Sequence, residues 1–577
     1  MKIETASILS FVKNNWIIIL IFCLGAFLRL YHLDFQSVWL DEICSINEAN
    51  PNINWSDLEK TILVSDPHPP LYFAVLKILF SIFGYTTIVA RSFSAVIGCM
   101  GILAIYYLGK ILIDKKLGLI AAFLLSINSF HIYYSQEVRM YSLLFLTTTI
   151  SFIFLVIFLR NKTFKNAVFY GFFTGLMIET QFFGLFVLLS QLLILLIDFL
   201  KTDKNFKISY FKKLTVSGIT TILVFLPAAN IFLITTKKKY ATIQPTTIDT
   251  IFQIFKDFVQ NSNYLLVLFS VLMGYFVIKT LITKPSNYKF KDTNLLLFLW
   301  VFVTLSIPII RSYLVTPMIV SRYFITILAA ILLLISLGIY YIKNDGLKIL
   351  FLISIFGFTI YQSVFVENYY SKISKTQFRE TTNYIQQNNK NSNIIVSGLG
   401  WYLRYFFDNK NLVKEIPPPI FIDMMITNKK PIADFWIFEG FGIYSKFTVK
   451  QNNFLNDKFF VTKSIQNFDC SAIHYIEKKE SNFSEYKIPK NAITLSNLTN
   501  LDWIGGVAIN LNMLLVDYSV ENENKVRSLK ELKLSNNKIL KILSYNKVDN
   551  YLHLYLQENA VNLKEDLSYP KAIEIIK

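Results

Sequence analysis

The chain has 577 residues, of which 53% are hydrophobic and 52 are phenylalanine, and its mean hydropathy is +0.44. This composition excludes an ordinary soluble enzyme and predicts a membrane protein. The formal net charge of +18 is high, but in a membrane protein basic residues mark the cytoplasmic loops. We therefore expect no nucleic-acid partner.

The first predicted element is a membrane span at residues 14–31. This apolar run is long enough to cross about 30 Å of hydrocarbon. Lys2 and Lys13 precede it, and no small-residue cleavage site follows it. The pattern predicts an uncleaved helix whose N-terminus is cytoplasmic, so that the next loop lies outside.

The external loop, residues 32–87, has an unusual composition. Residues 33–72 carry seven acidic side chains and one lysine, and they include the adjacent pair Asp41 and Glu42. We interpret this stretch as an active-site loop. The apolar run 71–83 is too short to cross the bilayer at about 1.5 Å per residue. It is predicted to lie along the outer interface as an amphipathic helix that begins at paired prolines.

Ten further spans are predicted, which makes the protein a polytopic α-helical membrane protein with about 11 spans. With this count every predicted inner loop is basic, whereas a span at 71–83 would turn several basic loops outward. After the first, the predicted spans are residues 88–108, 117–134, 141–159, 166–182, 183–200, 213–235, 263–283, 294–310, 319–342 and 347–367.

The composition changes after residue 367 to Asn, Lys, Ser, Asp and Glu. Runs at 393–398 and 433–441 are typical of strands, and 375–389 is typical of a helix. The chain is therefore predicted to form a transmembrane domain at 1–367 and an external mixed α/β domain at 368–577, which is long enough to fold compactly.

Several polar residues lie at the predicted outer ends of spans. Charged groups in such places are costly unless they face a cavity or a partner, so they are candidates for function. These residues are Arg91, Gln136, Glu137, Arg139, Glu179, Gln181, Arg311 and Arg322.

Five motifs occur in a fixed order: WLDE at 39–42, DPHPPLYF at 66–73, ARSFSAVIG at 90–98, SQEVRMYSL at 135–143 and MIVSRYF at 318–324. Together they resemble the GT-C glycosyltransferases, over roughly residues 1–370. The resemblance is to the superfamily of protein O-mannosyltransferases and lipid A aminoarabinose transferases, in its bacterial branch. It implies transfer of one sugar from a polyprenyl-phosphate donor to an acceptor on the outer face, with inversion at the anomeric carbon.

The residue types suit this chemistry. A carboxylate within hydrogen-bond reach can take the proton of an acceptor hydroxyl, and Asp41 is the candidate base. Glu42 is predicted to orient Asp41 or the acceptor, or to share a cation. Guanidinium groups match phosphate oxygens in pairs, so Arg139 and Arg322 are the first candidates for holding the donor phosphate.

A second group of residues is assigned to substrate. His68 stands where aminoarabinose transferases carry a phosphate-binding lysine, and a neutral imidazole would donate a hydrogen bond there instead. The basic run 237–239 is another candidate for the phosphate. Gln136, Glu137, Tyr141 and Tyr323 are predicted to bind substrate.

Structural alternatives stay open for these residues. Asp41 and Glu42 suit the positive end of a helix, and His68 suits a buried structural position. The arginines suit interfacial anchoring, the lysine run suits a solvated loop, and the two tyrosines suit an aromatic belt.

The expected location is the cell membrane, and the expected partners are a polyprenyl-phosphate sugar and a lipid, glycan or protein acceptor. A polymerase or ligase that uses a lipid-diphosphate donor is the nearest alternative, although its key residues would lie in a late external loop. A transporter is another alternative, but it would show inverted repeats and broken helices. A divalent metal is compatible with the acidic loop, yet no ligand spacing assigns one.

Overall fold

The computed structural model describes residues 2–65, 68–237, 245–283, 288–442 and 444–478, together with residue 524 and the strand residues 507–510, 513–517, 531–533, 539–548, 551–558 and 573–574. The chain divides into two compact units. The first unit comprises Met1–Phe35 and Cys44–Lys372, and the second comprises Gln36–Ile43 and Ile373–Lys577. A short part of the first loop therefore belongs to the C-terminal unit, whereas the predicted boundary at 367 and 368 assigns that loop to the transmembrane domain.

Helices make up the first unit. In chain order they are α1 (Lys2–Leu30), α2 (Leu40–Glu48, shared with the second unit), α3 (Trp55–Ser65), α4 (Leu71–Phe83), α5 (Thr87–Leu112), α6 (Lys115–Ile127), α7 (Ser129–Ser135), α8 (Tyr141–Arg160), α9 (Phe164–Thr180), α10 (Gly184–Lys201), α11 (Lys204–Lys237), α12 (Ile248–Phe258), α13 (Asn263–Thr283), α14 (Tyr288–Leu314), α15 (Ile325–Tyr341) and α16 (Asp345–Ile360). A 3₁₀ turn, Ser321–Phe324, precedes α15, and π-helical turns, Tyr361–Val366, continue α16.

Each predicted span lies in helical structure, although the span at 117–134 is divided between α6 and α7. The polytopic helical fold is confirmed. Within the described ranges, nine helices are long and apolar enough to cross a membrane, or ten if α6 and α7, which meet at 63°, form one span. Helix α9 has 17 residues, and counting it as well would give eleven. The number eleven stays a prediction.

Small residues let neighbouring helices approach closely, as is common in membrane bundles. Helices α5 and α6 cross at Gly109 and Gly118. A Cβ atom on Gly109 would lie 2.8 Å from the Cα of Gly118, and one on Gly118 would collide with the carbonyl oxygen of Tyr106. The crossing therefore requires glycine on both helices.

The break between α6 and α7 is held by polar contacts in a buried setting. The Asn128 side chain accepts a hydrogen bond from His131 N and donates one to Phe258 O, each at 2.9 Å. Arg29 of α1 donates to Leu125 O and Ser126 O at 2.9 Å, and its Nη2 lies 3.0 Å from His131 Nδ1. Carbonyl groups at a helix end need partners, and Arg29 supplies them here.

The predicted helix 71–83 is confirmed as α4, which begins directly after Pro70. Tyr72 and Phe80 are buried, whereas Ile82 and Phe83 are 65% and 68% exposed. Lys77, also buried, donates to Asn50 O at 2.7 Å, to Pro51 O and to Ile53 O, and so ties α4 to the loop after α2. Its orientation along the membrane surface stays a prediction.

The second unit contains a mixed six-stranded sheet in the order β11-β4-β5-β3-β1-β2. Its strands are β1 (Ile394–Ser397), β2 (Val413–Glu415), β3 (Phe435–Gly440), β4 (Phe459–Asn467), β5 (Cys470–Glu477) and β11 (Ile573–Glu574). Strand β1 pairs in parallel with β2 and β3, and the other pairs are antiparallel. The strands predicted at 393–398 and 433–441 are confirmed as β1 and β3.

Helices and a second sheet complete this unit. The helices are α17 (Phe378–Asn388), which confirms the helix predicted at 375–389, α18 (Gly400–Leu403), α19 (Pro418–Ile426) and α20 (Val449–Lys458). Apolar side chains of α19 and α20 pack on the first sheet in a cluster that includes Phe421, Leu455 and Phe435. The antiparallel second sheet has the order β6-β7-β10-β9-β8, with β6 (Val507–Asn510), β7 (Met513–Asp517), β8 (Glu531–Lys533), β9 (Ile539–Val548) and β10 (Tyr551–Glu558).

The α5–α6 crossing makes a stability prediction. Gly118→Ala adds a methyl group against a backbone carbonyl, and overpacking of this kind typically costs about 1–3 kcal/mol. The thermal unfolding midpoint of the purified protein in detergent should therefore fall. Gly274→Ala is the matched control, because a Cβ there would meet no atom within 4 Å. A Gly118→Ala midpoint equal to that of the control would contradict the packing argument.

Candidate active site

The two predicted catalytic carboxylates lie in the first turn of α2. Acidic side chains are favourable there, because the N-terminal end of a helix carries partial positive charge. Asp41 is half-buried, whereas Glu42 is completely buried. Adjacent helical residues point about 100° apart, so the two carboxylates face different surroundings.

Glu42 is anchored within the second unit. Lys375 Nζ lies 3.2 Å from Glu42 Oε2, and the side chains are 8% and 0% exposed. The same ammonium group lies 5.9 Å from the centre of the Trp39 ring. A buried charge is tolerated when it is paired. Glu42 is thus a paired carboxylate, and Asp41 is the more accessible of the two.

Two predicted phosphate-binding arginines come together in the first unit. The Arg139 guanidinium carbon lies 5.9 Å from the centre of the Tyr141 ring, and that of Arg322 lies 5.8 Å from the same ring. Arg322 also lies 5.8 Å from the Tyr323 ring. Aromatic faces attract cations at about this distance. Four of the predicted residues therefore form one cluster, which we call the arginine–tyrosine cluster.

The cluster places two positively charged side chains beside one aromatic ring. Arg139 and Tyr141 are almost completely buried, and Arg139 Nη1 donates to Ser45 Oγ at 3.2 Å. Guanidinium groups are the donors that match phosphate oxygens, which is the chemistry predicted for both arginines.

Gln136, a predicted substrate-binding residue, contacts the end of α1. Its side-chain nitrogen donates to the carbonyl oxygens of Leu28, Arg29 and Tyr31, and its oxygen accepts from Tyr369 Oη at 2.7 Å. These carbonyls lie at the C-terminal end of α1. Gln136 therefore fixes the turn that carries Arg139. Glu137, next in that turn, is buried.

The remaining candidates are dispersed or lie outside the description. His68 is half-buried just before Pro69 and Pro70, but Asp66 and Pro67 of its motif lie outside the described residues. The lysine run 237–239 also falls where side chains are not described.

Other stranded polar residues make contacts that suit a structural role. Arg91 Nη1 donates to Leu33 O at 3.0 Å. Arg311 contacts Thr316 Oγ1 at 3.4 Å and Met318 Sδ at 3.2 Å. Glu179 Oε1 accepts from Ala228 N at 2.8 Å, next to Pro227 inside α11, and Gln181 Oε1 accepts from Phe183 N. These contacts favour the structural alternative for the four residues.

The sequence-based prediction omitted Arg29, which holds the end of α6, and Lys375, which pairs with Glu42. Arg29 could have been found, because an arginine inside an apolar span is itself a signal. Lys375 could not, because it is 333 residues from Glu42 and lies in an ordinary polar stretch. Within the described residues, no group of three or more His, Cys, Asp or Glu side chains could hold a metal ion, so a metal stays unassigned.

Comparison with known proteins gives one family match and a shared fold. Residues 67–231 match the model of the dolichyl-phosphate-mannose-protein mannosyltransferase family. A search of curated proteins finds no match. Among solved structures, ArnT from Cupriavidus metallidurans bound to undecaprenyl phosphate is 10% identical with a TM-score of 0.53, over 80% of this chain and 98% of that chain.

Two further structures are similar. ArnT from the same organism in the apo state has a TM-score of 0.52 at 10% identity, with coverage of 80% and 98%. A weaker likeness, with a TM-score of 0.45 at 11% identity over 74% of this chain and 70% of that one, is to the archaeal oligosaccharyltransferase AglB from Archaeoglobus fulgidus, in complex with an inhibitory peptide and a dolichol-phosphate.

The fold and the family match define the class: the chain is a multi-pass membrane glycosyltransferase with the GT-C fold. Its residues 67–231 are similar to the dolichyl-phosphate-mannose-protein mannosyltransferases, and its fold is similar to that of ArnT. The resemblance inferred from the five motifs is thereby confirmed at the level of fold and enzyme class.

Proposed function

We propose that the protein transfers one sugar from a polyprenyl-phosphate donor to a lipid, glycan or protein acceptor on the outer face of the membrane. The observation that carries this proposal is the arginine–tyrosine cluster, which brings two guanidinium groups to one aromatic ring. The leaving group of such a donor is a lipid phosphate, whose charge needs donors of this kind. The likeness to ArnT, which was solved with undecaprenyl phosphate bound, supports the same donor class.

The proposed step is a single displacement. The acceptor oxygen forms a bond to the anomeric carbon while the bond from that carbon to the phosphate oxygen breaks. Asp41 takes the acceptor proton, and the lipid phosphate leaves with the bonding electron pair. Attack from the face opposite the leaving group inverts the anomeric configuration. Arg139 and Arg322 stabilise the departing phosphate.

The other predicted residues take supporting roles. Tyr141 and Tyr323 hold the guanidinium groups by their ring faces and face substrate from the same cluster. Glu137 stays a candidate for contacting substrate, and Gln136 positions the turn. His68 is a candidate hydrogen-bond donor to phosphate. Glu42 is paired with Lys375, so we assign it to orienting Asp41.

The direct test compares glycans and lipid-linked sugars of cells with and without the protein. The missing product would identify donor and acceptor together. Purified protein should then transfer the same sugar from the matching polyprenyl-phosphate donor. Turnover that occurs only with a lipid-diphosphate donor would favour the polymerase alternative, and no sugar-dependent product would refute the proposal.

Asp41→Asn tests the base. The amide keeps the size of the carboxylate but cannot accept the proton, so transfer should slow by roughly 10²- to 10⁴-fold. Donor affinity should change little, because the base acts on the acceptor. Asp57→Asn is the matched control, since Asp57 lies in the same loop and pairs with Lys60 at its exposed surface. Near-normal transfer by Asp41→Asn would overturn the assignment.

Arg139→Ala tests the phosphate site. Loss of one guanidinium group should weaken donor binding and slow transfer, and Arg139→Lys should recover only part, because an ammonium group cannot donate in parallel to two oxygens. Donor affinity measured by titration of purified protein is the readout. Arg311→Ala removes an arginine outside the cluster and should bind donor normally. Unchanged donor affinity in Arg139→Ala would contradict the proposed role.

The proposed orientation puts the N-terminus in the cytoplasm and residues 368–577 outside. Lys204 and Lys450 are both exposed, so cysteine at either position is accessible from its own side. An impermeant thiol reagent added to intact cells should label Lys450→Cys and spare Lys204→Cys. The parent protein, with its four native cysteines, provides the background. The reverse labelling pattern would overturn the topology.

A further inference from the structure

We infer that Lys375 is a positioning residue for sugar transfer, acting from the C-terminal unit on the helix that carries the proposed base. The inference rests on the proposed function for its catalytic consequence. Its structural part rests on contacts within the second unit alone, where Gln36–Ile43 packs with the chain after residue 372.

Gln36 and Ser37, which precede the two carboxylates, accept hydrogen bonds from backbone N–H groups of residues 374–379. Gln36 Oε1 accepts hydrogen bonds from Ser374 N at 3.1 Å and from Lys375 N at 3.4 Å. Ser37 Oγ accepts from Arg379 N at 3.0 Å. Arg379 is the second residue of α17, where backbone N–H groups lack partners within the helix. Ser37 thus caps α17 from a distant part of the sequence.

The carboxylate itself is held by Lys375. The ammonium group lies 3.2 Å from Glu42 Oε2 and 5.9 Å from the centre of the Trp39 ring. Glu42 Oε2 also lies 3.5 Å from Trp39 N, at the start of α2. Lysine and glutamate are rarely buried unless they are paired. The pair therefore fixes one side of the first turn of α2.

Fixing Glu42 also fixes Asp41. The two residues are neighbours in one helical turn, so a rotation of α2 that carried Glu42 towards water would turn Asp41 with it. Removing Lys375 would take one buried charge away from its ion pair with Glu42, which destabilises the arrangement of the first turn of α2. Misplacing a catalytic group by about 1 Å can cost roughly 100-fold in rate. Lys375 therefore acts through Glu42 and does not itself contact substrate.

The test compares full-length Lys375→Met with Lys375→Arg. We expect Lys375→Met to lower kcat by roughly 10- to 100-fold, with donor affinity unchanged, because the arginine–tyrosine cluster is untouched. Lys375→Arg keeps the charge and should recover most of kcat. Lys390→Met is the matched control, because Lys390 is exposed in the same unit, and it should behave as wild type.

A second readout does not depend on activity. Val38 is 2% exposed, so a Val38→Cys thiol should be protected from a maleimide in the parent protein. Adding Lys375→Met should raise its labelling rate, and adding Lys390→Met should not. Peptide mass spectrometry distinguishes this site from the four native cysteines.

The outcomes separate the two proposals. If the wild type does not use a polyprenyl-phosphate sugar, the proposed function fails, and Val38→Cys labelling still decides whether Lys375 holds the segment. If the wild type transfers sugar but Lys375→Met keeps wild-type kcat and a protected Val38→Cys thiol, only the positioning role is overturned.

If Lys375→Met does not fold, a double substitution tests the same inference. Glu42→Gln combined with Lys375→Met removes both charges of the ion pair. The double variant should therefore fold and be produced in cells. It should transfer slowly and expose Val38→Cys. A double variant with wild-type kcat would overturn the inference.

Discussion

The membrane unit depends on one constraint: carbonyl groups at helix ends inside an apolar bundle must find donors. Arg29 of α1 donates to the last carbonyls of α6, and Gln136, just after α7, donates to the last carbonyls of α1. Each of these two helix ends is completed by a side chain from a distant part of the sequence. These contacts fix the turn at 136–140, and with it the buried Arg139.

Two adjacent carboxylates have been given different environments. Glu42 is buried and paired with the Lys375 ammonium group, whereas Asp41 is partly exposed. A pair of acids in a loop is therefore no proof of shared catalytic work. In this protein the second acid of the pair, Glu42, forms a buried ion pair with Lys375, and the two candidate phosphate-binding arginines lie elsewhere in the chain.

The apolar runs predicted the membrane helices well, because the apolar surroundings of a span are visible in its own sequence. Local sequence patterns also predicted α4, β1 and β3, and the motifs singled out Arg139, Arg322, Tyr141 and Tyr323, which the fold gathers. They could not predict the contact of Glu42 with Lys375 or the capping of α17 by Ser37. Those contacts join segments far apart in the chain, and neither partner shows a local pattern. The contacts of Gln136 with the end of α1 could not be predicted for the same reason.

The ion pair between Glu42 and Lys375 bridges 333 residues. During synthesis the first loop is made long before Lys375. The ion pair on α2 can therefore form only after every intervening membrane helix has been produced. A chain that stopped short of residue 375 would contain the residues of the arginine–tyrosine cluster but not the ammonium partner of Glu42. The contact that holds the first turn of α2 is therefore one of the last to become available while the protein is made.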